Sequence, residues 1–205
     1  MDESGHYPKW LWWLLGLAIA IALTAAAFAM VRLTKPALPP GLAEMREATA
    51  KILDEHVRIE DVDIRSLVDL EAKKDYGSAI NLLNRALESN AKREALAASL
   101  ASVSGELSKL AIQVKPDTIG TKAIAAFRIL ANLAETEKQF YADRRALYEL
   151  TRSYYLDRAA NRNPPIPEGL RALVEQVTAD MEKAGTLHRE FAAAIQAFDE
   201  AVGRR

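Results

Sequence analysis

The chain has 205 residues, a formal charge of -1 and no cysteine. So even a charge balance leaves no basic footprint for nucleic acid, and without cysteine there are no disulfides, no cysteine-zinc sites, no thiol nucleophile and no lipoprotein acylation. Setting aside the apolar N-terminal stretch and its flanks, about 165 residues remain, ample for one hydrophobic core and too few for two comfortable ones.

Residues 1–9 are a short polar tail. No charged residue then occurs from Trp10 to Val31, a run that as a helix spans about 33 Å against a hydrocarbon core of about 30 Å. Trp10, Trp12 and Trp13 beside Lys9 make an interfacial belt, because indole is amphipathic and prefers the headgroup level. We read 10–31 as a single transmembrane anchor in a lipid bilayer. Ala27-Phe28-Ala29 offers the small residues of a signal-peptide cleavage site, but the apolar run is long for a signal core and its leading segment is barely basic. Direction is finely balanced. Arg32, Lys35, Arg46 and Lys51 after the span favour a cytoplasmic domain by the positive-inside rule. A single Lys before a Trp/Leu-rich and then Ala-rich core is the order of an export signal-anchor. We take the domain as extracytoplasmic on that order.

Residues 32–41 form a linker in which Pro36, Pro39 and Pro40 favour extended backbone over helix. From Leu42 onward Ala, Leu, Glu, Lys and Arg dominate and Gly and Pro are scarce, a composition that favours helix nearly throughout. The spacing predicts a helix over Leu42–Val57, with Leu42, Met45, Thr49, Ile52, Leu53 and His56 on one face. Further helices are expected over Ile64–Lys73, over Ser78–Ser89 with Asn90 as a stop, and over Lys92–Val114 until Lys115-Pro116-Asp117 breaks it. These make up a helical domain over 42–114.

Residues 118–205 differ in kind. Ile119–Asn161 has no Pro and reads as one helix of about 40 residues, a length of about 60 Å. Asn163–Pro167 is a turn. Glu168–Val202 carries Leu170, Val174, Val177, Met181, Ala184, Phe191, Ile195, Phe198 and Val202 at alternating steps of four and three, with His188 in the one gap. That is the heptad spacing of a coiled-coil-like seam, so a long antiparallel αα-hairpin is expected. Nothing alternates with period two, and no sheet is expected.

Within Lys74–Glu88, Tyr76 at a turn is followed by the pairs Ala79-Ile80 and Ala86-Leu87, seven residues apart. This segment resembles the centre of a tetratricopeptide repeat, whose second helix uses small Ala positions to lie close to the first while the aromatic fills the corner. The resemblance covers about residues 64–90 and implies a two-helix hairpin with a protein-binding groove. It departs from the family where Lys74 replaces the usual Gly and Ala91 the usual Pro. No second copy follows at a step of about 34 residues, and a plain helical hairpin fits the same pattern.

Catalytic and metal motifs do not emerge. The chain has 3 His, and its one Glu-x-x-His is Glu3 to His6 in the tail, so a di-iron bundle lacks its ligands. Gly120-Thr121-Lys122 resembles the end of a phosphate-binding loop, yet Lys115 stands where the first Gly is required. No nucleophile elbow presents a serine. We therefore expect no catalytic residues, no cofactor and no metal. His188, set in the heptad seam, is expected to face Glu137, Phe140, Tyr141 and Arg144 if the hairpin turns near Pro164; it is a candidate buried polar site, although Leu187 beside it can take the core place and leave the ring half wet. Glu137 and Arg144, seven apart on the long helix, are the companion candidates, as buried polar groups or as solvated charges on a helix that leaves the body. Tyr148, Arg152, Tyr154, Tyr155 and Arg158 make a candidate partner-binding patch at the hairpin tip, since Tyr and Arg are enriched in interface hot spots.

The expectation is an all-α protein of five or six helices behind one membrane anchor, acting as a non-catalytic scaffold or adaptor that binds another protein through helix faces. Homo-oligomerisation through the heptad face is a natural extension. The alternative is a membrane-tethered sensory or small-ligand-binding helical bundle.

Overall fold

The computed structural model describes residues 37–203. The expected anchor, with Trp10, Trp12, Trp13 and Val31, and the first part of the linker lie outside the described residues. The chain divides into two units after Ala37, and every helix below belongs to the second. These helices are α1 (Leu42–Arg58), a 3-10 turn (Ile64–Ser66), α2 (Leu67–Ala72), α3 (Tyr76–Ala111), α4 (Asp117–Ala159) and α5 (Leu170–Val202). Among the described residues there is no strand, and no helix is long and apolar enough to cross a membrane.

The helix ends follow local chemistry. Gly41 and Gly169 adopt left-handed backbone, φ 84 and 83, at the entries to α1 and α5, a conformation that costs glycine nothing. Asp75 caps α3 by accepting a hydrogen bond from the Ser78 amide at 3.1 Å, after Lys74 has turned the chain at φ 58. The Pro-rich stretch before Gly169 separates α4 from α5 as the sequence predicts.

Two expected helices are one. The chain does not stop at Asn90: α3 runs 36 residues straight through it. Asn90 is buried, and its Nδ2 donates to the Tyr141 carbonyl on α4 at 2.8 Å. A tertiary acceptor thus uses the carboxamide that sequence logic assigns to a cap, and Ala91-Lys92-Arg93-Glu94 are good helix formers that carry the helix on. The tetratricopeptide-like hairpin is correspondingly lopsided, with a six-residue α2 against a 36-residue α3. Tyr76 does fill a corner, but against Tyr155 of α4, ring centroids 6.2 Å apart.

The long hairpin does not stand free. Helices α3, α4 and α5 run antiparallel, and α4 lies between the other two, packed along both. Fully buried Ala79, Ala86, Ala97 and Ala111 on α3 and Ala123, Ala126 and Ala134 on α4 let these backbones approach closely, since the side chains at a helix contact set the interaxial distance. Residues 42–114 and 118–205 therefore share one bundle.

The core has two apolar ends. One gathers Leu100, Leu107, Phe127, Leu130, Leu133 and Phe198, with α1 laid over it through Leu42, Met45, Ile52 and Leu53. The other gathers Val62, Leu67, Leu83, Leu147, Tyr148 and Tyr155. Between them sit Ala97, Phe140 and Tyr141 and most of the molecule's buried polarity.

The seam of α5 is rotated from the expected one. Leu173 and Leu187 pack into the core clusters, and Asp180 is buried, whereas Val174 and Met181 are 46% and 55% exposed. The inward set is Leu170, Leu173, Val177, Asp180, Ala184, Leu187 and Phe191, a heptad in which a charged residue occupies a core place. Apolarity alone skips Asp180 and settles on the flanking column instead.

Candidate functional site

Glu137 occupies the polar waist between the two apolar ends. It projects from α4 and is 3% exposed. Its Oε1 accepts a hydrogen bond from His188 Nε2 of α5 at 2.8 Å, and its Oε2 lies 3.8 Å from His56 Nδ1 of α1. One carboxylate thus addresses histidines from two other helices. His56 Nε2 is 2.5 Å from the Tyr141 hydroxyl. A neutral His56 with its proton on Nδ1 suits both neighbours, directing the N–H towards the carboxylate while Nε2 accepts from the phenol.

Burial lowers the His56 pKa; the Glu137 charge works against this, and Arg93 and His188 add to it. Burial also pushes the Tyr141 phenol up to about 12, reinforced by Glu137 and opposed by Arg93. Arg144 is raised despite its burial, because the Tyr148 hydroxyl and the Asp61 carboxylate stabilise its charge. Arg144 Nη2 lies 3.0 Å from Asp61, and its guanidinium also stands over the Phe140 and Tyr148 rings.

The structure places the three candidate buried polar residues differently. Glu137 is buried, and Arg144 is mostly covered, with 17% of its side chain exposed. His188 is not buried, since 47% of its side chain is exposed: Leu187 takes the core place, and the ring reaches Glu137 from the rim. Sequence reasoning missed His56 as a partner, although its place on the α1 apolar face was a usable signal. Asn90, Arg93 and Tyr141 gave no signal, because their role depends on which helix lies opposite.

The candidate partner-binding patch at Tyr148, Arg152, Tyr154, Tyr155 and Arg158 is not an open surface. Tyr148 and Tyr155 are 2% and 4% exposed, and the other three are half-buried. The Tyr154 and Tyr155 hydroxyls donate to the two oxygens of Glu71 on α2 at 3.0 and 3.3 Å, and Arg158 stacks over Tyr76 of α3. The patch is spent inside the molecule because α2 and the start of α3 fold onto the tip, an arrangement that a free hairpin lacks.

What remains open lies beside the waist. Arg46 pairs with Asp199 at 2.8 Å, while His56 and His188 meet on Glu137, so α1 runs antiparallel along α5. Beyond Arg58 the chain leaves this line. The Ile59 carbonyl accepts from Arg93, and the Glu60 carbonyl from Ser89, which draws the segment onto α3. The vacated continuation is a cleft of about 480 Å³, walled by Asp61–Arg65 on one side and by Val177 and Met181 on the other, and floored by Phe140, Arg144, Leu147 and Tyr148. Among the described residues no group of His, Asp and Glu is arranged to hold a metal ion. No protein-family model, curated protein or solved structure matches this chain.

Proposed function

We propose that this chain is a membrane-anchored, non-catalytic scaffold or adaptor, held to the bilayer by 10–31 with its domain on the extracytoplasmic side, and that it receives a helix of a partner protein in the cleft beside α5. The observation that carries the reading is the column Val174, Met181, His188 and Ile195, spaced seven apart on one flank of α5. Helix α1 runs along its Ile195 and His188 half and ends before Met181 and Val174, which stay exposed. A fourth helix therefore covers half of a four-helix arrangement. An incoming amphipathic helix can continue the line of α1, its apolar face on Val177, Met181, Phe140 and Leu147, in the helix-in-groove mode. Burying a Met side chain is worth about 1.5–3 kcal/mol.

A photo-crosslinking residue at Met181 of the full chain, expressed in its membrane, tests this. A discrete heteromeric adduct that disappears with Val177→Glu is expected. No adduct, or one with twice the mass of the chain, overturns the partner reading, the latter in favour of self-association. Alkaline extraction of the same membranes tests the anchor: retention in the pellet is expected, and release contradicts it.

A further inference from the structure

A different part of the molecule, independent of the scaffold reading, is built to hold a small molecule. Backbone packing ties α1 closely to α3 only; towards α5 it is held by side chains at its two ends, Arg46–Asp199 and the His56 cluster. Between these ties the seam contains a crevice of about 150 Å³ lined by Leu53, Leu107, Phe127, Leu130, Phe191 and Ile195. Its floor is rigid, because Leu107, Phe127 and Leu130 are at most 1% exposed. Ala50, exposed on α1, stands at the rim.

The lining offers little to water. Thr49 is its one hydroxyl, and that hydroxyl is engaged with the Met45 carbonyl at 2.9 Å. A water needs two to four polar partners, and an apolar cavity of roughly this size instead takes one benzene-sized molecule. One donor is unspent: Arg46 lines the crevice, and its Nη1 is buried with no hydrogen-bond partner among the described residues. The opposite edge of the same guanidinium already faces Asp199, Nη2 lying 2.8 Å from the carboxylate. The charge of Arg46 is therefore compensated, and an incoming anion meets Asp199 as well.

We propose that the α1–α5 crevice is a binding site for a neutral, single-ring aromatic molecule carrying one carbonyl-type acceptor, with the ring among Leu53, Phe127, Phe191 and Ile195 and the acceptor on Arg46 Nη1. Phe127 and Phe191 supply aromatic contact, and the burial of one ring in a site of this size sets an affinity on the order of 0.1–1 mM. The site joins the first helix after the linker to the last helix of the bundle, so an occupant bridges both and stabilises their contact.

The experiment uses the full chain in nonionic detergent and benzamide as the probe, with benzoate as its charged counterpart. Melting temperature is followed against ligand concentration, and binding is followed separately by saturation-transfer NMR. A saturable rise with benzamide is expected, weaker by about tenfold or more with benzoate, the ratio that separates a neutral acceptor from an anion. Ala50→Trp, which closes the mouth from an exposed position, is expected to abolish the rise, and Leu53→Phe, which fills the crevice from its wall, to do the same. Lys51→Trp, next along α1 and outside the crevice, is expected to leave binding unchanged. No saturable response to benzamide overturns the proposal, as does wild-type affinity in Ala50→Trp and Leu53→Phe. Benzoate binding as tightly as benzamide overturns the assignment of a neutral acceptor.

Discussion

Two glycine-to-alanine substitutions, chemically identical, are expected to have opposite signs. Gly120 lies in the first turn of α4, where a Cβ would stand 2.7 Å from the Val114 carbonyl oxygen and 3.8 Å from that of Ala111. The obstacle is backbone at the end of α3, so relief requires the α3–α4 turn to open, and Val114, Ala111 and Ile119 are all buried there. Overpacking of this kind costs about 1–3 kcal/mol, against a gain of about 0.5–1 kcal/mol from replacing Gly by Ala in a helix. Gly120→Ala is therefore expected to destabilise by about 1–2 kcal/mol on balance. Gly105 is exposed on α3, and a Cβ there meets nothing within 4 Å. It keeps the helix gain alone and is expected to stabilise by about 0.5–1 kcal/mol. Urea unfolding of the full chain in mild detergent, followed by circular dichroism, reads both. With a slope of about 2 kcal/mol per molar urea, the midpoint is expected to fall by about 0.5–1 M for Gly120→Ala and to rise by about 0.25–0.5 M for Gly105→Ala. A Gly120→Ala midpoint at or above wild type refutes the close approach of the two helices at this turn.

The waist supplies the remaining predictions. Asn90→Asp removes the donor to the Tyr141 carbonyl and sets a carboxylate against it in the core. It is expected to cost about 3 kcal/mol or more, whereas Asn90→Leu, which also removes the unpartnered Asn90 Oδ1, is expected to stay within about 1 kcal/mol of wild type. Equal melting temperatures for the two variants contradict this. Acidification acts through His56, whose folded pKa lies below the unfolded value because burial disfavours its charged form. Its contribution to stability is complete above the unfolded pKa of about 6.5 and is lost as pH falls through the folded value. The urea midpoint is expected to drop on acidification from pH near 7.5 and to drop less in His56→Gln; an equally steep profile in the variant removes His56 as the cause.

Much of the secondary structure was legible from single residues. Pro116 and the Pro-rich run at 164–167 cannot continue a helix, so they mark where α3 ends and where α4 gives way to α5. The absence of any period-two stretch announced an all-helical domain. Asn90 misled because a carboxamide satisfies a helix end or a carbonyl on a neighbouring helix equally well, and the local sequence does not choose between them. The seam of α5 misled because Asp180 holds a core place with Gln176 donating to it at 3.1 Å, and hydropathy assigns such a position to the surface. The register argument that set His188 near Glu137 needed only the turn at Pro164 and the helical rise, both local. His56, by contrast, reaches Glu137 across a separation of 81 residues, and no spacing rule connects them.

The division has a physical cause. The amino-acid sequence by itself determined what depends on near neighbours: helix propensity, the breaks at proline, the caps, and the uncharged run Trp10–Val31 on which the anchor proposal rests. Tertiary structure alone decided which polar groups are inside. Whether Glu137, Arg144, Tyr148 or Tyr155 is solvated or buried follows from which helices cover it, and helices α1, α2 and α3 come from the other end of the chain. The same packing consumed the expected Tyr/Arg patch and opened a cleft where none was expected, because α1 is 17 residues long against 33 for the helix it runs beside.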